Sequence, residues 1–303
     1  MKKNTKKQTS PRSNGVNTAL VVLCICMFVL AGIYIARYYA LMHETKRDNQ
    51  ALADLYKNAL VATEAEPEPI LPPEPVTPAP STAGEADPII ITYPRAPEAI
   101  AAEFEEARAI NPDVIGYLHI PQKTVEDIDL FVVQRDNEYY LNHDFYGNEK
   151  KSGTLFLDQS NQIWPQDQHL IVYGHNMKNG TMFARLPRYK AQEYAYNNPF
   201  VYFDTLYEKG EYVVVAAMYL PASEMLTTEF NLRTFTFGET SMKSFMYKVS
   251  KRALYTTGVG VDENDQLLSL VTCAYNEDDE RFILITRRIR ENETKEELRK
   301  LIK

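Results

Sequence analysis

The sequence predicts a mainly β fold, a barrel or a sandwich, that follows a single membrane-spanning helix. Three observations lead to this fold class. An uncharged apolar run lies close to the N-terminus, a proline-rich segment comes after it, and short apolar or β-branched runs occupy most of the remaining chain. Turn-forming residues separate these runs, and many short strands joined by turns are typical of barrels and sandwiches.

The apolar run Thr18–Ala36 contains 19 residues without a charge, close to the ~20 that a helix needs to cross a bilayer core. A cleaved signal peptide is the alternative, but the run exceeds the usual ~7–15 residue signal core. Cys24 and Cys26 lie inside the span, where apolar packing in lipid explains them better than metal or redox chemistry. We therefore expect an uncleaved anchor.

Charge is distributed unevenly along the chain. Residues 1–37 carry six basic side chains and no acid, so the total of −8 leaves −14 for the remainder. The basic residues are Lys2, Lys3, Lys6, Lys7, Arg12 and Arg37. The five that precede the apolar run predict a cytoplasmic N-terminus and an extracellular C-terminal domain. The acidic remainder argues against nucleic acid as a partner, because a basic surface supplies most of that affinity.

Composition divides the rest of the chain. Residues 1–17 form a basic tail, 18–36 the anchor, 37–66 a juxtamembrane stalk with amphipathic helical character, 67–97 a linker and 98–303 the catalytic or binding domain. Ten of the 17 prolines fall in the linker, which favours extended polyproline-like chain. Fully extended at ~3.1 Å per residue, this linker would reach roughly 90 Å. That reach would hold the following domain clear of the membrane.

The last segment begins with a helical pattern over 98–110, after which the apolar period becomes that of strands. A second helical pattern covers Glu239–Tyr255, with Thr240 or Ser241 as its N-cap. The predicted strands are Ile128–Gln134, Thr154–Leu157, Leu170–Tyr173, Tyr212–Tyr219, Leu267–Thr272 and Phe282–Arg288.

Cys273 is the only cysteine outside the anchor, so it is an incidental buried residue, an intermolecular crosslink or a reactive nucleophile. His175 and Arg281 also stand at predicted strand boundaries. Acyl transfer by cysteine needs a thiolate, a proton donor and a group that neutralises the oxyanion. Histidine and arginine suit the last two tasks. Spacing alone does not bring the three together.

The segments around these residues resemble the signature segments of sortases. They are Leu-Val-Thr-Cys-Ala-Tyr at 270–275 followed by Arg-Phe-Ile-Leu-Ile, Ile-Val-Tyr-Gly-His-Asn-Met-Lys-Asn-Gly-Thr-Met-Phe at 171–183, Val-Val-Gln-Arg-Asp-Asn-Glu-Tyr-Tyr-Leu at 132–141 and Ser-Gly-Thr-Leu-Phe-Leu-Asp at 152–158. The resemblance extends over about residues 98–290, and the two predicted helices favour the class B branch. Val271 departs from it, since class B members often have Ser there, and the loop between Cys273 and Arg281 is short.

The resemblance implies a closed sortase-type β-barrel of about eight strands and a membrane-anchored cysteine transpeptidase that uses no cofactor. Cys273 would attack the threonine carbonyl of a C-terminal sorting pentapeptide in a secreted protein, with His175 as general acid and base and Arg281 on the oxyanion. The acceptor would be an amine of a peptidoglycan precursor or of a pilin. Matching segments place Thr272, Asn137, Leu141 and Leu226 in the substrate groove, with Met225 beside them.

Several alternatives remain open at this stage. His143 is the next candidate for the catalytic histidine, whereas His119 and His169 fit surface or hydrogen-bonded positions better. The acidic loop 276–280 lacks the pattern of a calcium loop, and dispersed histidines with one cysteine do not supply a structural zinc site. An L,D-transpeptidase or a papain-like protease would space or order Cys and His differently. A tethered, non-catalytic binding or scaffold module would leave Cys273 buried and inert.

Overall fold

The computed structural model describes residues 14–65, 96–97, 99–238, 241–273 and 279–302, with the description of residues 14–17, 64–65 and 273 limited to the backbone. Most of the predicted basic tail, nearly all of the predicted linker and most of the acidic loop therefore lie outside the described residues. The chain divides into two compact units, Met1–Arg47 and Asp48–Lys303.

Helix α1 spans Asn14–Ala65 and contains the predicted anchor. Between Thr18 and Thr63 it includes an 18-residue window of mean hydropathy 2.8, and none of that window is buried within the protein. Side chains such as Phe28 and Leu30 are exposed. A long, exposed, apolar helix near the N-terminus is consistent with membrane anchoring.

The second unit is built on nine strands in one sheet of order β5-β1-β2-β3-β4-β8-β9-β6-β7. Their bounds are β1 Val114–Ile120, β2 Ile128–Val133, β3 Leu155–Leu157, β4 His169–Gly174, β5 Phe200–Thr205, β6 Glu211–Pro221, β7 Ala253–Thr256, β8 Leu267–Cys273 and β9 Glu280–Arg288. Pairing of β5 with β6 closes the first eight of that order into a barrel, and β7 extends β6 outside the closure. The β2–β3 and β4–β8 pairs are parallel. The prediction of a closed barrel of about eight strands is confirmed, and the barrel is mixed.

Short helices connect the strands. The remaining α-helices are α2 Glu105–Ile110, α3 Gln192–Asn197, α4 Met242–Ser250 and α5 Lys295–Lys300, with 3-10 turns at Ala102–Phe104, Tyr139–Leu141, Phe183–Lys190 and Ala222–Glu224. The predicted leading helix is thus a 3-10 turn followed by α2. The predicted late helix is α4, and Ser241 caps it by accepting a hydrogen bond from the Ser244 N–H at 3.1 Å. It ends before Ala253 because β7 begins there.

The last turns of α1 belong to the second unit and pack on the outside of the barrel. Tyr56 is 3 % exposed; its ring stacks on Tyr117 with a centroid distance of 4.0 Å, and its hydroxyl donates to Asp204 Oδ2 at 2.8 Å. Phe104 and Phe131 complete the aromatic cluster around it. Residues 48–65 of the predicted stalk are therefore part of the same compact unit as the barrel.

This packing changes what the proline-rich segment connects. Residues 48–65 and 99–302 both belong to the second unit, and the proline-rich segment lies between them in sequence. The segment between them starts and finishes in one unit. Its reach of roughly 90 Å when extended therefore does not join the barrel to the anchor, because residues 37–47 make that connection.

His169, at the start of β4, is fully buried in the barrel wall. Its Nδ1–H donates to the Thr234 carbonyl at 3.0 Å, and its Nε2 accepts from the Ser269 hydroxyl at 2.8 Å. One ring nitrogen donates and the other accepts, so both hydrogen bonds fit the neutral imidazole. Burial lowers the pKa of His169 to about 4. This histidine is structural, in agreement with its predicted hydrogen-bonded position.

Acid is expected to destabilise the fold through His169. Its pKa falls from 6.5 in the unfolded chain to about 4 in the folded state, so between these values only the unfolded chain is protonated. The contribution of neutral His169 to the free energy of unfolding is complete above pH 6.5. It is lost as the pH falls towards 4, which lowers the free energy of unfolding by roughly 3 kcal/mol. Urea unfolding at pH 7 and pH 5 should show a smaller pH dependence in His169→Gln. Equal pH dependence in His169→Gln and in the wild type would contradict the assignment.

Candidate active site

Two parallel strands end side by side at one rim of the barrel. Gly174, the last residue of β4, pairs with Thr272 of β8. The next residue on each strand is therefore His175 on one side and Cys273 on the other. On the opposite edge of β8, Cys273 pairs with Arg281 of β9. The backbone register thus places Cys273 between His175 and Arg281, although the side chain of Cys273 lies outside the described residues.

Gly174 leaves room for two side chains that pack against the end of β4. A Cβ atom at this position would lie 2.2 Å from Leu155 Cδ2 and 2.8 Å from Phe183 Cδ2. The Phe183 N–H also donates to the His175 carbonyl at 2.9 Å. Phe183 therefore packs beneath the glycine and fixes the backbone that carries the histidine.

A main-chain carbonyl orients the His175 ring. His175 Nε2 lies 2.7 Å from the Leu141 carbonyl oxygen. A carbonyl can only accept, so Nε2 carries the proton and Nδ1 is the nitrogen that can exchange one. The 3-10 turn Tyr139–Leu141 thus selects the tautomer of a residue 34 positions later in the chain.

A cavity of about 280 Å³ lies at this rim. The residues that line it are Asn137, Leu141, Phe156, Tyr173, Gly174, His175, Met225, Leu226, Arg233, Val271, Thr272 and Arg281. His175 and Arg281 thus share one cavity with Thr272, which immediately precedes Cys273. The mixed apolar and polar lining of this cavity suits an extended peptide better than a small ion.

The predicted groove residues contribute in different ways. Leu141 and Leu226 offer apolar surface, and Leu226 is 56 % exposed, whereas Met225 beside it is buried. Asn137 accepts a hydrogen bond from the Gln159 N–H at 2.9 Å, so its amide oxygen already has a partner. Thr272 is 2 % exposed, and no described residue hydrogen-bonds to its Oγ1.

Sequence reasoning missed a polar cluster on the cavity wall. Arg233 Nη2 donates to Asp158 Oδ1 at 2.8 Å, and the Tyr173 hydroxyl donates to Asp158 Oδ2 at 3.0 Å. The hydrogen bond to Asp158 raises the pKa of Arg233. Burial, followed by the charge of Asp158, raises the pKa of Tyr173. Asp158 and Tyr173 fall within the motifs described above, but Arg233 stands in a loop without any recognisable pattern.

The other histidines lie outside the cavity lining. His143 stacks on the Tyr139 ring at 3.9 Å, with Nδ1 2.7 Å from the Tyr139 carbonyl oxygen. Among the described residues, the group with spacing suited to a metal ion is His119, Asp127 and Asp129. Lys57 Nζ lies 2.8 Å from Asp129 and supplies a countercharge there. Burial raises the pKa of Asp129, but hydrogen bonds from His119 and Lys57 outweigh it and lower this pKa overall.

Comparisons with known proteins agree with this geometry. A family model described as a sortase domain matches residues 118–289. Sortase B of Listeria monocytogenes is 31% identical over 181 residues, which cover 59% of this chain and 70% of that protein. Sortase B of Staphylococcus aureus is 26% identical over 64% of this chain and 77% of its own.

A solved structure of Staphylococcus aureus sortase B, complexed with MTSET, superposes with a TM-score of 0.62 at 20% identity. The superposition covers 81% of this chain and 88% of that one. At this level of identity the likeness concerns the fold, and it matches the closed barrel described above.

Proposed function

Since the chain belongs to the sortase family and is a sortase B-type cysteine transpeptidase, we propose that Cys273, His175 and Arg281 are its catalytic residues. The substrate is a sorting motif near the C-terminus of secreted proteins. Cleavage after the motif's threonine gives a thioester, which an amine then resolves. The acceptor is an amine of a peptidoglycan cross-bridge or of a pilin.

The observation that carries this proposal is the register of three neighbouring strand ends. Gly174 pairs with Thr272, and Cys273 pairs with Arg281. His175 and Arg281 line the same cavity. A nucleophile between an imidazole and a guanidinium, at the wall of a peptide-sized groove, is the arrangement that cysteine acyl transfer requires.

Each group then has a defined step. The Cys273 thiolate adds to the threonine carbonyl carbon, and the Arg281 guanidinium stabilises the oxyanion that forms. The carbon–nitrogen bond breaks while imidazolium Nδ1 of His175 protonates the departing amine. The incoming amine attacks the thioester, His175 takes up its proton, and the thiolate leaves again. Bond making and breaking balance without a cofactor.

The apolar part of α1 supplies the anchor in this proposal. The five basic residues that precede Thr18–Ala36 support a cytoplasmic N-terminus and an extracellular barrel. Such an orientation presents the groove to secreted proteins and wall precursors on the same side of the membrane.

Trapping the acyl-enzyme tests the proposal. The full chain in detergent micelles is incubated with a panel of sorting-motif peptides, and intact mass spectrometry is used to find a hydroxylamine-sensitive adduct. We expect the adduct in the wild type and in the Cys24→Ala/Cys26→Ala control, and none in Cys273→Ala. Full transpeptidation by Cys273→Ala would show that the nucleophile is wrongly assigned. If the wild type forms no adduct with any peptide, a tethered non-catalytic module becomes the better interpretation.

Arg281→Lys is expected to lower kcat/KM about a hundredfold, because lysine keeps the charge but loses the planar fork that faces the oxyanion. Steady-state cleavage of a responsive peptide measures the effect. Arg288→Lys is the matched control, since Arg288 lies on the same strand and binds Glu208 and Gln266 outside the cavity. Wild-type rates in Arg281→Lys would remove Arg281 from the active site.

A further inference from the structure

Two polar atoms of the cavity-lining residues are buried and have no hydrogen-bond partner among the described residues. They are Arg233 Nε and Thr272 Oγ1. Buried polar groups in folded proteins are nearly always paired, so an unpaired one calls for a specific explanation. In a peptide-binding groove, the simplest explanation is that the ligand supplies the partner.

The guanidinium of Arg233 is fixed before any ligand arrives. Its Nη2 donates to Asp158 Oδ1 at 2.8 Å and to Ser160 Oγ at 2.9 Å. The backbone of Arg233 is also fixed, because its backbone N–H donates to Asn231 Oδ1 at 2.9 Å. Since the guanidinium is planar and rigid, anchoring one nitrogen also fixes the direction of the Nε–H bond.

Asp158 has no capacity left for a ligand. It is completely buried. Oδ1 accepts from the Ser160 N–H at 3.0 Å as well as from Arg233. Oδ2 accepts from the Tyr173 hydroxyl at 3.0 Å and lies 3.4 Å from Asn137 Nδ2. Its charge therefore neutralises that of Arg233.

We propose that Arg233 is a specificity-determining residue that donates a hydrogen bond to a neutral acceptor oxygen of the sorting peptide. This inference rests on the proposed function, since it assigns a role in recognition within the same groove. A carboxylate is a poorer ligand than a carbonyl or carboxamide, because Asp158 already neutralises the guanidinium. Asp158 and Tyr173 act as positioning residues that hold the donor in place.

The acceptor oxygen can come from a peptide-bond carbonyl or from a side-chain carboxamide. A peptide-bond carbonyl is present in every peptide, so losing its hydrogen bond raises KM for all sequences alike. A carboxamide is present only in Asn or Gln, so losing its hydrogen bond removes the preference for these residues at one position. The two sources are therefore separated by the pattern across a peptide series.

The test uses the full chain in detergent and peptides with a fixed threonine, in which each preceding position is varied singly among Asn, Gln, Leu, Met, Asp and Glu. Arg233→Lys keeps the countercharge for Asp158 but lacks Nε. We expect its kcat/KM to fall about tenfold to a hundredfold, mainly through KM, as one charge-assisted hydrogen bond predicts. Arg252→Gln is the matched control, because Arg252 is also half-buried but does not line the cavity.

Asp158→Asn provides an independent test. It retains the shape of the side chain but removes the countercharge, so Arg233 becomes an unpaired cation at the groove. We expect this variant to favour Asp or Glu over Asn or Gln at the position that Arg233 reads. Thermal melting confirms that each variant is folded, and Arg233→Gln serves as a second probe if Asp158→Asn does not fold.

The outcomes separate this inference from the proposed function. If wild-type protein forms acyl-enzyme but Arg233→Lys and Arg233→Gln keep wild-type KM values and peptide preferences, the role of Arg233 is overturned while the transpeptidase remains. If no peptide acylates the wild type, the proposed function itself fails. Lower kcat with unchanged KM in the Arg233 variants would also overturn a recognition role.

Discussion

His175→Ala is expected to lower kcat/KM about a thousandfold, within the range of 10²–10⁴ that a positioned general acid and base contributes. The physical reason is that the departing amine is a poor leaving group unless it is protonated as the carbon–nitrogen bond breaks. The ring is already oriented for this task, because its Nε2–H donates to the Leu141 carbonyl at 2.7 Å. Single-turnover acylation of the full chain, followed by mass spectrometry, measures the loss.

His143→Ala is the matched control, because His143 is the histidine that the sequence left as an alternative. Its ring stacks on Tyr139 and does not line the cavity, so it cannot replace His175 in proton transfer, and we expect activity within about threefold of wild type. A large loss in His143→Ala with little loss in His175→Ala would reverse the assignment of the general acid.

Tyr56→Ala is expected to lower the free energy of unfolding of the second unit by about 3–5 kcal/mol, the usual cost of removing a buried aromatic side chain. The ring is 3 % exposed and stacks on Tyr117. Its loss leaves a cavity beside Phe104 and Phe131, and Asp204 loses the hydroxyl that donates to it. Urea unfolding followed by intrinsic fluorescence measures the change.

Two further variants separate the contributions of this tyrosine. Tyr56→Phe keeps the ring and should cost only about 1–3 kcal/mol, because Asp204 loses one buried hydrogen bond. Tyr247→Ala removes a tyrosine that is 61 % exposed and should change stability by less than about 0.5 kcal/mol. If Tyr56→Ala unfolds like wild type, the last turns of α1 do not stabilise the barrel.

The barrel was predictable from the sequence wherever its strands are apolar. The six predicted strands correspond to β2, β3, β4, β6, β8 and β9. Strand β1 was missed because Gly116 and His119 interrupt its apolar run. Gly116 is nevertheless required, since a Cβ there would lie 2.5 Å from the Asp204 carbonyl oxygen. Only the pairing of β1 with β5 reveals that requirement.

Strands β5 and β7 were missed for different reasons. Strand β5 is short, ends in Asp204 and Thr205, and gains its stability from pairing with both β1 and β6. Strand β7 was assigned to the preceding helix because Leu254 continues the helical spacing. Leu254 is in fact 50 % exposed, and β7 forms because its backbone pairs with β6.

Local motifs identified the candidate catalytic residues, but they could not identify the partners of those residues. The sequence around His175 suggested a strand end, and the parallel pairing with β8 explains why that end meets Cys273. In contrast, Arg233 and Asp158 are 75 residues apart, and neither segment indicates that they pair. Docking of α1 was equally hidden, because the amphipathic character of the predicted stalk also fits a solvated helix.

The proline-rich segment lies in sequence between two parts of the second unit, and this has a consequence for proteolysis. A protease recognition sequence placed within residues 67–94 would allow the chain to be nicked there. We expect the two fragments of the nicked enzyme to elute together in size-exclusion chromatography, since Tyr56 and its neighbours pack residues 48–65 against the barrel. Two bands would appear only on a denaturing gel. If the barrel separates from the detergent micelles after the cut, the non-covalent contacts of residues 48–65 with the barrel are too weak to keep the enzyme at the membrane.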